Sequence, residues 1–444
     1  MSDLTYAALI RELFPRLTGG IRWGLDRTRR MLADAGDPHL ACPLIHVGGT
    51  NGKGSVAATM ASALRRHGWR SGLYTSPHLC TFRERIQVDG APISERDIVR
   101  AAELLWPSIQ RETPSFFEAT TAIAFLALKR AEVDVAVIEV GLGGRLDATN
   151  VIRPEVAVLT NVALDHVQFL GPTLESVATE KAGIIKAGVP VVTAETDPVP
   201  LEVFRRRAQE TGASLDVLTE DRVRCVESDV TGSTLDVETG AWGRLRVHTP
   251  LPGPHQVVNT ALAVAALDRL PDRLRPGREA VVTGVAEVNW PGRMQVERLQ
   301  QRTWVFDVAH NLAGVHALAS ALRGLALPRP IVSVVGVLGD KDWRAMLGPI
   351  YAASDEIVLT LPPTAPADRR WEPAEVLREA PSAHASAVPA FNDALVTAWR
   401  RAGANGEGTI LVTGSFHTVG DALIALGITP WGADADLPVP IFAA

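Results

Sequence analysis

A glycine-rich run that follows an apolar stretch and precedes a helical pattern constrains this chain more than any other feature. It reads His-Val-Gly-Gly-Thr-Asn-Gly-Lys-Gly-Ser from His46 to Ser55. Glycines let backbone N–H groups close around phosphate oxygens, the Lys53 ammonium reaches terminal phosphates, and the following helix presents its positive end. A strand, this loop and a helix together predict a nucleotide-binding unit.

The run departs from the standard phosphate-loop motif at two positions. Gly54 follows Lys53 where the motif has Ser or Thr, and Val47 stands where the motif has its first glycine. Ser55 still supplies a hydroxyl that can face Mg²⁺. An ordinary glycine turn is the alternative interpretation.

Length and composition bound the class of protein. The chain has 444 residues, 46% hydrophobic and 21% charged, which is enough to bury two ordinary cores. The net charge of −6 gives no electrostatic reason to expect nucleic-acid binding. Cys42, Cys80 and Cys225 are odd in number and lack metal-ligand spacing, which is typical of reduced thiols. Because no signal-peptide core or membrane-spanning stretch is visible, we expect a cytoplasmic protein without a membrane partner.

Strands and helices alternate along the chain, which predicts an α/β fold. Pro291 and Gly292 interrupt a helical pattern, so we place a domain boundary near 291–297. The pattern predicts an N-terminal P-loop ATPase domain with a mostly parallel sheet (1–292) and a smaller, Rossmann-like C-terminal α/β domain (293–444). The predicted strands cover 43–47, 72–75, 133–140, 155–160 and 189–193, and then 303–308, 331–337, 356–360 and 409–413.

Two further β segments and a set of helices complete the predicted pattern. An Asp-Gly pair at Asp89 predicts a hairpin over 85–93. The polar, irregular stretch 213–250 predicts a small β excursion. The predicted helices cover 53–67, 94–111, 117–131, 173–186, 256–270, 277–288, 311–324, 341–353, 373–379, 391–402 and one after 413.

Several chemically active side chains follow predicted strands of the first domain. Glu139 ends an apolar strand beside the phosphate loop, where a carboxylate suits Mg²⁺; a carboxylate that simply reaches solvent is the alternative. His166 fits either a metal or phosphate role, or a structural or surface role. Lys181 among anionic groups would ordinarily be an ion-pair partner. The Ser76 hydroxyl suits either a Mg²⁺ shell or a turn cap.

Three polar strand ends in the second domain indicate a surface that faces the nucleotide domain. Asp307 comes directly after a strand and before a helix, and it also suits a plain helix-start position. The other two strand ends are the segments 336–342 and 413–417. We expect the three to meet across a cleft.

Taken together, these segments resemble the folylpolyglutamate synthase and dihydrofolate synthase family, within the wider Mur-ligase group. The resemblance covers nearly the whole chain, and many matches occur in order. The segments that carry it are 49–55, 75–79 (Thr-Ser-Pro-His-Leu), 116–118, 139–150 (Glu-Val-Gly-Leu-Gly-Gly-Arg-Leu-Asp-Ala-Thr-Asn), 163–166, 180–185, 255–259, 290–293 and 307–311. In this family a glycine stands between the lysine and the hydroxyl residue of the loop, which accounts for the variant motif.

The resemblance implies roles for individual residues. Ser76 and Glu139 would hold one Mg²⁺, His166 would contact a second, and Lys181 would be carbamylated and become an anionic metal ligand. A carbamate needs an unprotonated amine, so the pKa of Lys181 must be depressed. The implied nucleotide contacts are Asn51, Gly52, Lys53, Gly54, Ser55, Asn259, Arg293 and Asp307. The implied acceptor contacts are Arg22, Trp23, Gly24, Leu25, Ser115, Phe116, Phe117, Leu146, Asp147 and Ala148.

The resemblance also implies an activity. We expect an ATP- and Mg²⁺-dependent amide ligase that adds L-glutamate to a reduced folate, to dihydropteroate or to both, through an acyl phosphate. Lys53, Lys181, His166 and His310 are the catalytic candidates, and His310 and Ser415 are candidates for glutamate contacts. We expect a monomer. The alternatives are a cell-wall Mur-type ligase, which would need a long module before the loop, and a non-catalytic nucleotide-binding protein.

Overall fold

A computed structural model describes residues 4–17, 23–403, 407–432 and 441 of the chain. Its largest sheet has eight strands in the order β4-β3-β2-β5-β1-β6-β7-β8. The strands from β2 to β8 in this order are parallel, and β3 and β4 are antiparallel. Their bounds are β1 Leu44–Gly48, β2 Ser71–Tyr74, β3 Ile86–Val88, β4 Ala91–Pro92, β5 Val135–Glu139, β6 Val156–Leu159, β7 Val191–Thr193 and β8 Leu215–Val217.

The central position of β5 and β1 follows from their composition. Every residue of both strands is buried, as expected of parallel strands that are covered on both faces. Because β1 pairs in parallel with β5 on one side and β6 on the other, the carboxyl ends of all three strands lie at one edge of the sheet. Ligands bind at this edge in open α/β sheets.

A three-stranded antiparallel sheet, in the order β11-β10-β9, forms most of the predicted β excursion. It consists of β9 Val223–Asp229, β10 Gly232–Thr239 and β11 Gly243–Thr249. Leu235, Val237, Leu245 and Val247 are buried in one core with residues of β1 and β5. The excursion is therefore packed against the body of the protein.

A third sheet has six strands in the order β12-β13-β17-β14-β15-β16. The edge strand β12 is antiparallel and the other five are parallel. The bounds are β12 Gln295–Leu299, β13 Arg302–Asp307, β14 Ile331–Val335, β15 Glu356–Leu359, β16 Ala385–Ala387 and β17 Thr409–Thr413. The predicted fold class, two α/β units with mostly parallel sheets, is confirmed.

The helices cover the sheets and connect their strands. Their bounds are α1 Tyr6–Leu13, α2 Asp26–Asp34, α3 Lys53–Arg66, α4 Glu95–Glu112, α5 Phe116–Arg130, α6 Val167–Leu170, α7 Leu174–Ala182, α8 Pro198–Thr211, α9 Pro254–Asp268, α10 Arg278–Ala286, α11 Leu312–Gly324, α12 Trp343–Ala353, α13 Pro373–Glu379, α14 Phe391–Arg401 and α15 Phe416–Ala425. α3, α9 and α10 share one core with the large sheet, whereas α4 and α5 share the core on its other side.

Candidate active site

The predicted phosphate loop joins the carboxyl end of β1 to the start of α3. Gly52 caps α3 with a φ of 83°, a left-handed conformation that glycine adopts readily. A Cβ at Gly49 would lie 1.8 Å from Oγ1 of Thr160, so the backbone there runs directly against β6. The Lys53 Nζ donates to the Thr50 carbonyl at 3.0 Å. The loop is therefore compact, and its lysine side chain is fixed by a bond to the loop backbone.

Ser55 places a buried hydroxyl at the first turn of α3. The residue is 1% exposed, and its Oγ has no hydrogen-bond partner within the described part of the chain. Buried hydroxyls are normally paired, so an unpaired one at a helix N-terminus fits a site for an added phosphate or cation.

Glu139 and Ser76 lie together at the neighbouring strand ends. The Ser76 N–H donates to Oε2 of Glu139 at 2.9 Å. Burial raises the pKa of the Glu139 carboxyl, and the nearby Lys53 ammonium partly opposes this effect. A buried carboxylate beside a hydroxyl is the donor set that a hard divalent cation needs.

Lys181 is buried beneath the phosphate loop. Its Nζ donates to the Gly49 carbonyl at 2.7 Å. Burial lowers the pKa of the Lys181 ammonium to about 7, and the positive charge of Lys53 acts in the same direction. A large share of this lysine is therefore an uncharged amine near neutral pH.

Asp165 gathers groups from both large sheets. Lys341 donates to its Oδ1 at 2.6 Å and Asn311 donates to its Oδ2 at 2.9 Å. Burial acts to raise the pKa of Asp165, but His166 and His310, which are protonated in the acid range where this carboxyl titrates, together with Lys341 hold it well below its usual range. Asp165 therefore carries a negative charge at neutral pH.

The two histidines beside Asp165 are uncharged at neutral pH. Burial, followed by the Lys341 ammonium, lowers the pKa of both His166 and His310 to about 4, and Asp165 opposes the shift. Nδ1 of His310 lies 2.8 Å from the Val308 carbonyl, which assigns the proton to that nitrogen. Nε2 of His310 is then the nitrogen with a free lone pair.

Arg293 and Asp307 form the wall opposite the loop. Asp307 accepts from the backbone N–H groups of Met294 and Ala309, both at 2.9 Å. Burial raises the pKa of the Asp307 carboxyl and lowers that of the Arg293 guanidinium. Asn259, on α9, lies against the phosphate loop, since a Cβ at Gly52 would be 2.4 Å from its Oδ1.

Aromatic and loop residues form the other end of the site. The ring of Phe117 packs on the backbone after β5, where a Cβ at Gly141 would lie 2.2 Å from Cζ. Asp147 turns its carboxylate back into its own loop, and accepts from the N–H groups of Gly141 and Leu142 at 3.1 and 2.9 Å. The Ser115 hydroxyl caps α5.

One cavity of about 1440 Å³ connects these groups. Its walls contain the predicted residues Trp23, Asn51, Gly52, Lys53, Gly54, Ser55, Ser76, Ser115, Phe116, Phe117, Glu139, Leu146, Asp147, Ala148, His166, Lys181, Asn259, Arg293, Asp307 and His310. The structure therefore brings most of the candidates to a single space.

Three predicted contacts among the described residues do not line the cavity. Ser415 is 3% exposed and its hydroxyl caps α15 by accepting from the Thr418 N–H at 3.1 Å, so it does not face the cavity. Gly24 and Leu25, described residues just before α2, do not line it either. Arg22 lies outside the described residues.

Other residues that line the cavity are not predicted from the sequence. Asn161 follows β6 and its Oδ1 accepts from the Asn51 N–H at 3.0 Å, so the rule that active side chains follow parallel strands would have found it. Arg85 and His255 also line the cavity. His255 belongs to the segment 255–259 that carries the family resemblance, but it has no predicted role, and Arg85 is predicted only as part of a hairpin.

Protein side chains alone do not complete a metal site. No group of three or more His, Cys, Asp or Glu side chains with metal-binding geometry occurs among the described residues. Mg²⁺ usually keeps several waters and takes one or two carboxylates together with substrate phosphates, so a sparse protein donor set fits this cation. None of the helices in the described ranges combines the length and apolar character needed to cross a bilayer.

Comparison with known proteins places the chain in a family. Residues 47–267 match the Mur ligase middle domain, and residues 292–416 match the Mur ligase, glutamate ligase domain. The chain is 36% identical over 343 residues to a dihydrofolate synthase/folylpolyglutamate synthase of Bacillus subtilis (strain 168), covering 75% of this chain and 79% of the relative. It is 35% identical over 399 residues to the protein of the same name in Escherichia coli (strain K12), covering 89% of each.

Solved structures agree with these relatives. The folylpolyglutamate synthase of Mycobacterium tuberculosis complexed with ADP superposes with a TM-score of 0.86 at 32% identity, covering 94% of this chain and 97% of that one. E. coli FolC in complex with DHPP and ADP gives 0.82 at 30% identity, covering 94% and 96%. A bifunctional folylpolyglutamate synthase/dihydrofolate synthase with Mn, AMPPNP and L-glutamate bound gives 0.80 at 30% identity, covering 96% and 98%. The resemblance found in the motifs is thus confirmed, and the chain belongs to the folylpolyglutamate synthase/dihydrofolate synthase family.

Proposed function

We propose that this chain is an ATP-dependent ligase that joins L-glutamate to a folate-type acceptor. The observation that carries the proposal is one cavity that runs from the phosphate loop, with Lys53, Glu139 and Lys181, to the aromatic end at Phe116 and Phe117. Relatives with this name, and solved neighbours that hold ADP with DHPP or AMPPNP with L-glutamate, support it.

The reaction needs an activated acid, because a carboxylate is too electron-rich to react with an amine. An oxygen of the acceptor carboxylate attacks the γ-phosphorus of ATP, ADP leaves, and an acyl phosphate results. The amino group of glutamate then attacks the acyl carbon, an amide bond forms and inorganic phosphate leaves. Lys53 and the loop N–H groups would hold the transferring phosphoryl group. His310, through Nε2, is our candidate for the contact with the glutamate amine.

Two divalent-cation positions fit the donor atoms at the loop. Ser76, Glu139 and the unpaired Ser55 hydroxyl would hold one cation. His166 and a carbamylated Lys181 would hold the second. Mg²⁺ bound here would neutralise negative charge on the phosphates. Lys181 becomes a carbamate when its uncharged Nζ bonds to the carbon of CO₂ and releases a proton; its burial and its pKa of about 7 support this step.

Other residues that line the cavity would contact the nucleotide or the acceptor. Asn259, Arg293 and Asp307 would contact the nucleotide, and the loop of Leu146, Asp147 and Ala148 would contact the acceptor. We keep the two domains as 1–292 and 293–444; closure between them would exclude water that hydrolyses the acyl phosphate. We propose a monomer that acts in the cytoplasm without a nucleic-acid partner.

The test is isotope transfer. The purified protein is incubated with ATP, Mg²⁺, L-glutamate and an acceptor that carries ¹⁸O in its carboxylate. An acyl phosphate requires one ¹⁸O atom in the inorganic phosphate released for each amide formed. Product that accumulates with unlabelled phosphate would exclude this route.

The choice of acceptor is a second measurement. Dihydropteroate and a reduced folate share the pterin and the aminobenzoyl group but differ in where the reacting carboxylate lies. Parallel assays with each acceptor and labelled glutamate show whether the chain uses one or both. ATP consumption that strictly depends on both acceptor and glutamate would exclude the non-catalytic alternative. Activity with a cell-wall precursor would favour the Mur-type alternative.

A further inference from the structure

Arg85 is a buried cation in the wall of the cavity. The residue is 7% exposed and lies at the end of the short turn that precedes β3. Its Nε donates to Nδ1 of His78 at 2.9 Å. The guanidinium carbon lies 5.2 Å from the ring centre of Phe116 and 5.7 Å from that of Phe82. The side chain is therefore held in one place by rings and a histidine.

No carboxylate of the described residues hydrogen-bonds to this guanidinium, although Glu139 and Glu84 lie close enough to interact with its charge. The two carboxylate oxygens of the neighbouring Glu84 accept hydrogen bonds from the backbone N–H groups of Leu79, Cys80 and Thr81, at 2.7–2.9 Å. Within the described residues Arg85 forms no ion pair, and its Nη–H groups have no hydrogen-bond partner. A guanidinium that lines a cavity, with Nη–H groups that no described residue accepts from, is suited to bind an anionic ligand there.

The position of Arg85 limits which ligand that is. Arg85 lies against Phe116 at the aromatic end of the cavity, and it is close enough to Glu139 for the two charges to interact. Glu139 in turn interacts with Lys53 at the phosphate end. An anion on Arg85 would thus lie between an aromatic body and the phosphate loop.

We propose that Arg85 binds a carboxylate of the acceptor acid through its Nη–H groups. The proposal rests on the proposed function and deepens it. A planar guanidinium grips a carboxylate with two parallel hydrogen bonds, which a lysine ammonium does not do. The carboxylate is either the one that reacts, which every acceptor has, or a second one, which only an acceptor that already carries glutamate has.

The first experiment measures binding without turnover. Pteroate and folate, each beside its neutral amide, are titrated into the wild-type chain and the Arg85→Gln variant. The wild type should bind the carboxylate about tenfold to hundredfold more tightly than the carboxamide, as expected for a charged hydrogen-bonded pair, and Arg85→Gln should lose this preference. A wild type that prefers neither acid over its amide, or a variant that keeps the preference, would overturn the proposal.

Two further variants separate binding from folding. Arg83→Gln is the matched control, because Arg83 is in the same short turn, donates from Nε to the Ile93 carbonyl at 2.9 Å and does not line the cavity. It should retain the preference. Should Arg85→Gln not fold, as judged by circular dichroism, Arg85→Lys replaces it and should retain only part of the preference, since the charge remains but the fork is lost. An unchanged preference in a folded Arg85→Lys would count against the proposal.

Turnover then identifies which carboxylate is bound. If Arg85→Gln raises KM for dihydropteroate and for a reduced folate alike, the reacting carboxylate is bound; if it raises KM for the folate alone, the second carboxylate is bound. A rise in KM for glutamate alone would refute the assignment. If the wild type binds pteroate through Arg85 but performs no ligation, the proposed function fails while the subsite stands.

Discussion

At the scale of single residues, the site depends on two lysines that contact neighbouring residues of the phosphate loop and differ in burial. Lys53 donates to the Thr50 carbonyl and Lys181 donates to the Gly49 carbonyl, one residue away. Lys181 is buried, which disfavours its charged form, and the positive charge of Lys53 repels it. Both effects lower the pKa of Lys181, so it loses its proton more easily. One lysine is suited to hold phosphate and the other to react as an amine.

Replacing Lys53 tests the first role. Lys53→Ala should lower the ligation rate by about a hundredfold to a thousandfold, because the transferring phosphoryl group loses a fixed positive charge. The measurement is amide formation with labelled glutamate at saturating ATP. Lys129→Ala is the control, since that lysine donates to the Gly36 carbonyl away from the cavity and should leave the rate unchanged. Normal turnover in Lys53→Ala would remove the phosphate role.

The second role predicts a pH-dependent modification of Lys181. With ¹³CO₂, a carbamate carbon signal should grow as pH rises through about 7, because the fraction of free amine rises with pH and protonated lysine does not react. Carbon-13 NMR reports it directly, and Lys181→Ala should lack it. Activity of Lys181→Ala should return in part with added short carboxylic acids. Full activity without them would argue against a carbamate.

Sequence patterns predict site residues at strand ends better than site residues whose role depends on contacts in three dimensions. Glu139 and His166 were found because polar groups after parallel strands gather at one edge. Ser415 follows the same rule, but a serine that caps a helix and a serine that contacts a ligand have the same sequence signature. The sequence predicts Arg85 only as part of a hairpin. That no described carboxylate accepts a hydrogen bond from it is visible only in three dimensions.

At the scale of secondary-structure elements, the turn into α3 requires glycine at position 52. A Cβ there would meet Oδ1 of Asn259, whose Nδ2 donates to Oε1 of Gln256 at 3.1 Å, so the amide cannot move without losing that bond. The loop and the start of α9 are therefore fitted to each other. The φ of 83° adds strain for any other residue.

Gly52→Ala should separate these two effects when it is compared with Gly68→Ala. Gly68 has a φ of +100° but nothing within 4 Å of an added Cβ. Both variants should lose about 1–2 kcal/mol of unfolding free energy from backbone strain. Only Gly52→Ala should also lose nucleotide affinity, by at least about tenfold, if the loop shifts and one charged hydrogen bond is lost. Thermal unfolding and titration with a non-hydrolysable ATP analogue measure the two quantities; equal nucleotide affinity in both variants would contradict the fit.

The elements that the sequence predicted well are those with a strong local signal. The strands β1, β5, β13 and β17 are predicted within two residues of their observed bounds because at least half of the residues of each strand are apolar. The Asp-Gly hairpin was also correct, with Asp89 and Gly90 at φ of 52° and 78°. The edge strands β12 and β16 were missed: Gln-Val-Glu-Arg-Leu is half-exposed and polar, and Ala-Ser-Ala has no β-branched residue. Pairing with an existing sheet, rather than local preference, makes them strands.

At the scale of the whole molecule, the two large sheets are joined at the site itself. Asn311, at the start of α11, donates to Oδ1 of Asn51 at 3.0 Å and to Asp165. Lys341 completes the link by its ion pair with Asp165, whose side chain is 10% exposed, as against 12% for Lys341. These bonds cross between the phosphate-loop edge and the strand ends of the six-stranded sheet. They connect the two sides of the cavity.

Breaking this link should open the molecule and uncouple its chemistry. Lys341→Ala leaves the Asp165 carboxylate, which is 10% exposed, without its lysine partner, so the loss of unfolding free energy should approach the roughly 3 kcal/mol typical of breaking a buried pair. Small-angle scattering should show a larger radius of gyration. More ATP should be hydrolysed per amide formed, because water reaches the acyl phosphate.

Arg329→Ala is the control for that variant, since its ion pair with Asp355 is 63% and 37% exposed and lies within the six-stranded unit. Exposed pairs contribute about 0–1 kcal/mol, so both the radius of gyration and the ATP-to-amide ratio should stay at wild-type values. The comparison isolates the position of the pair from the loss of a cation. If Lys341→Ala matched Arg329→Ala in both readouts, the Asp165 link would be a passive contact, and exclusion of water would have to come from the bound substrates instead.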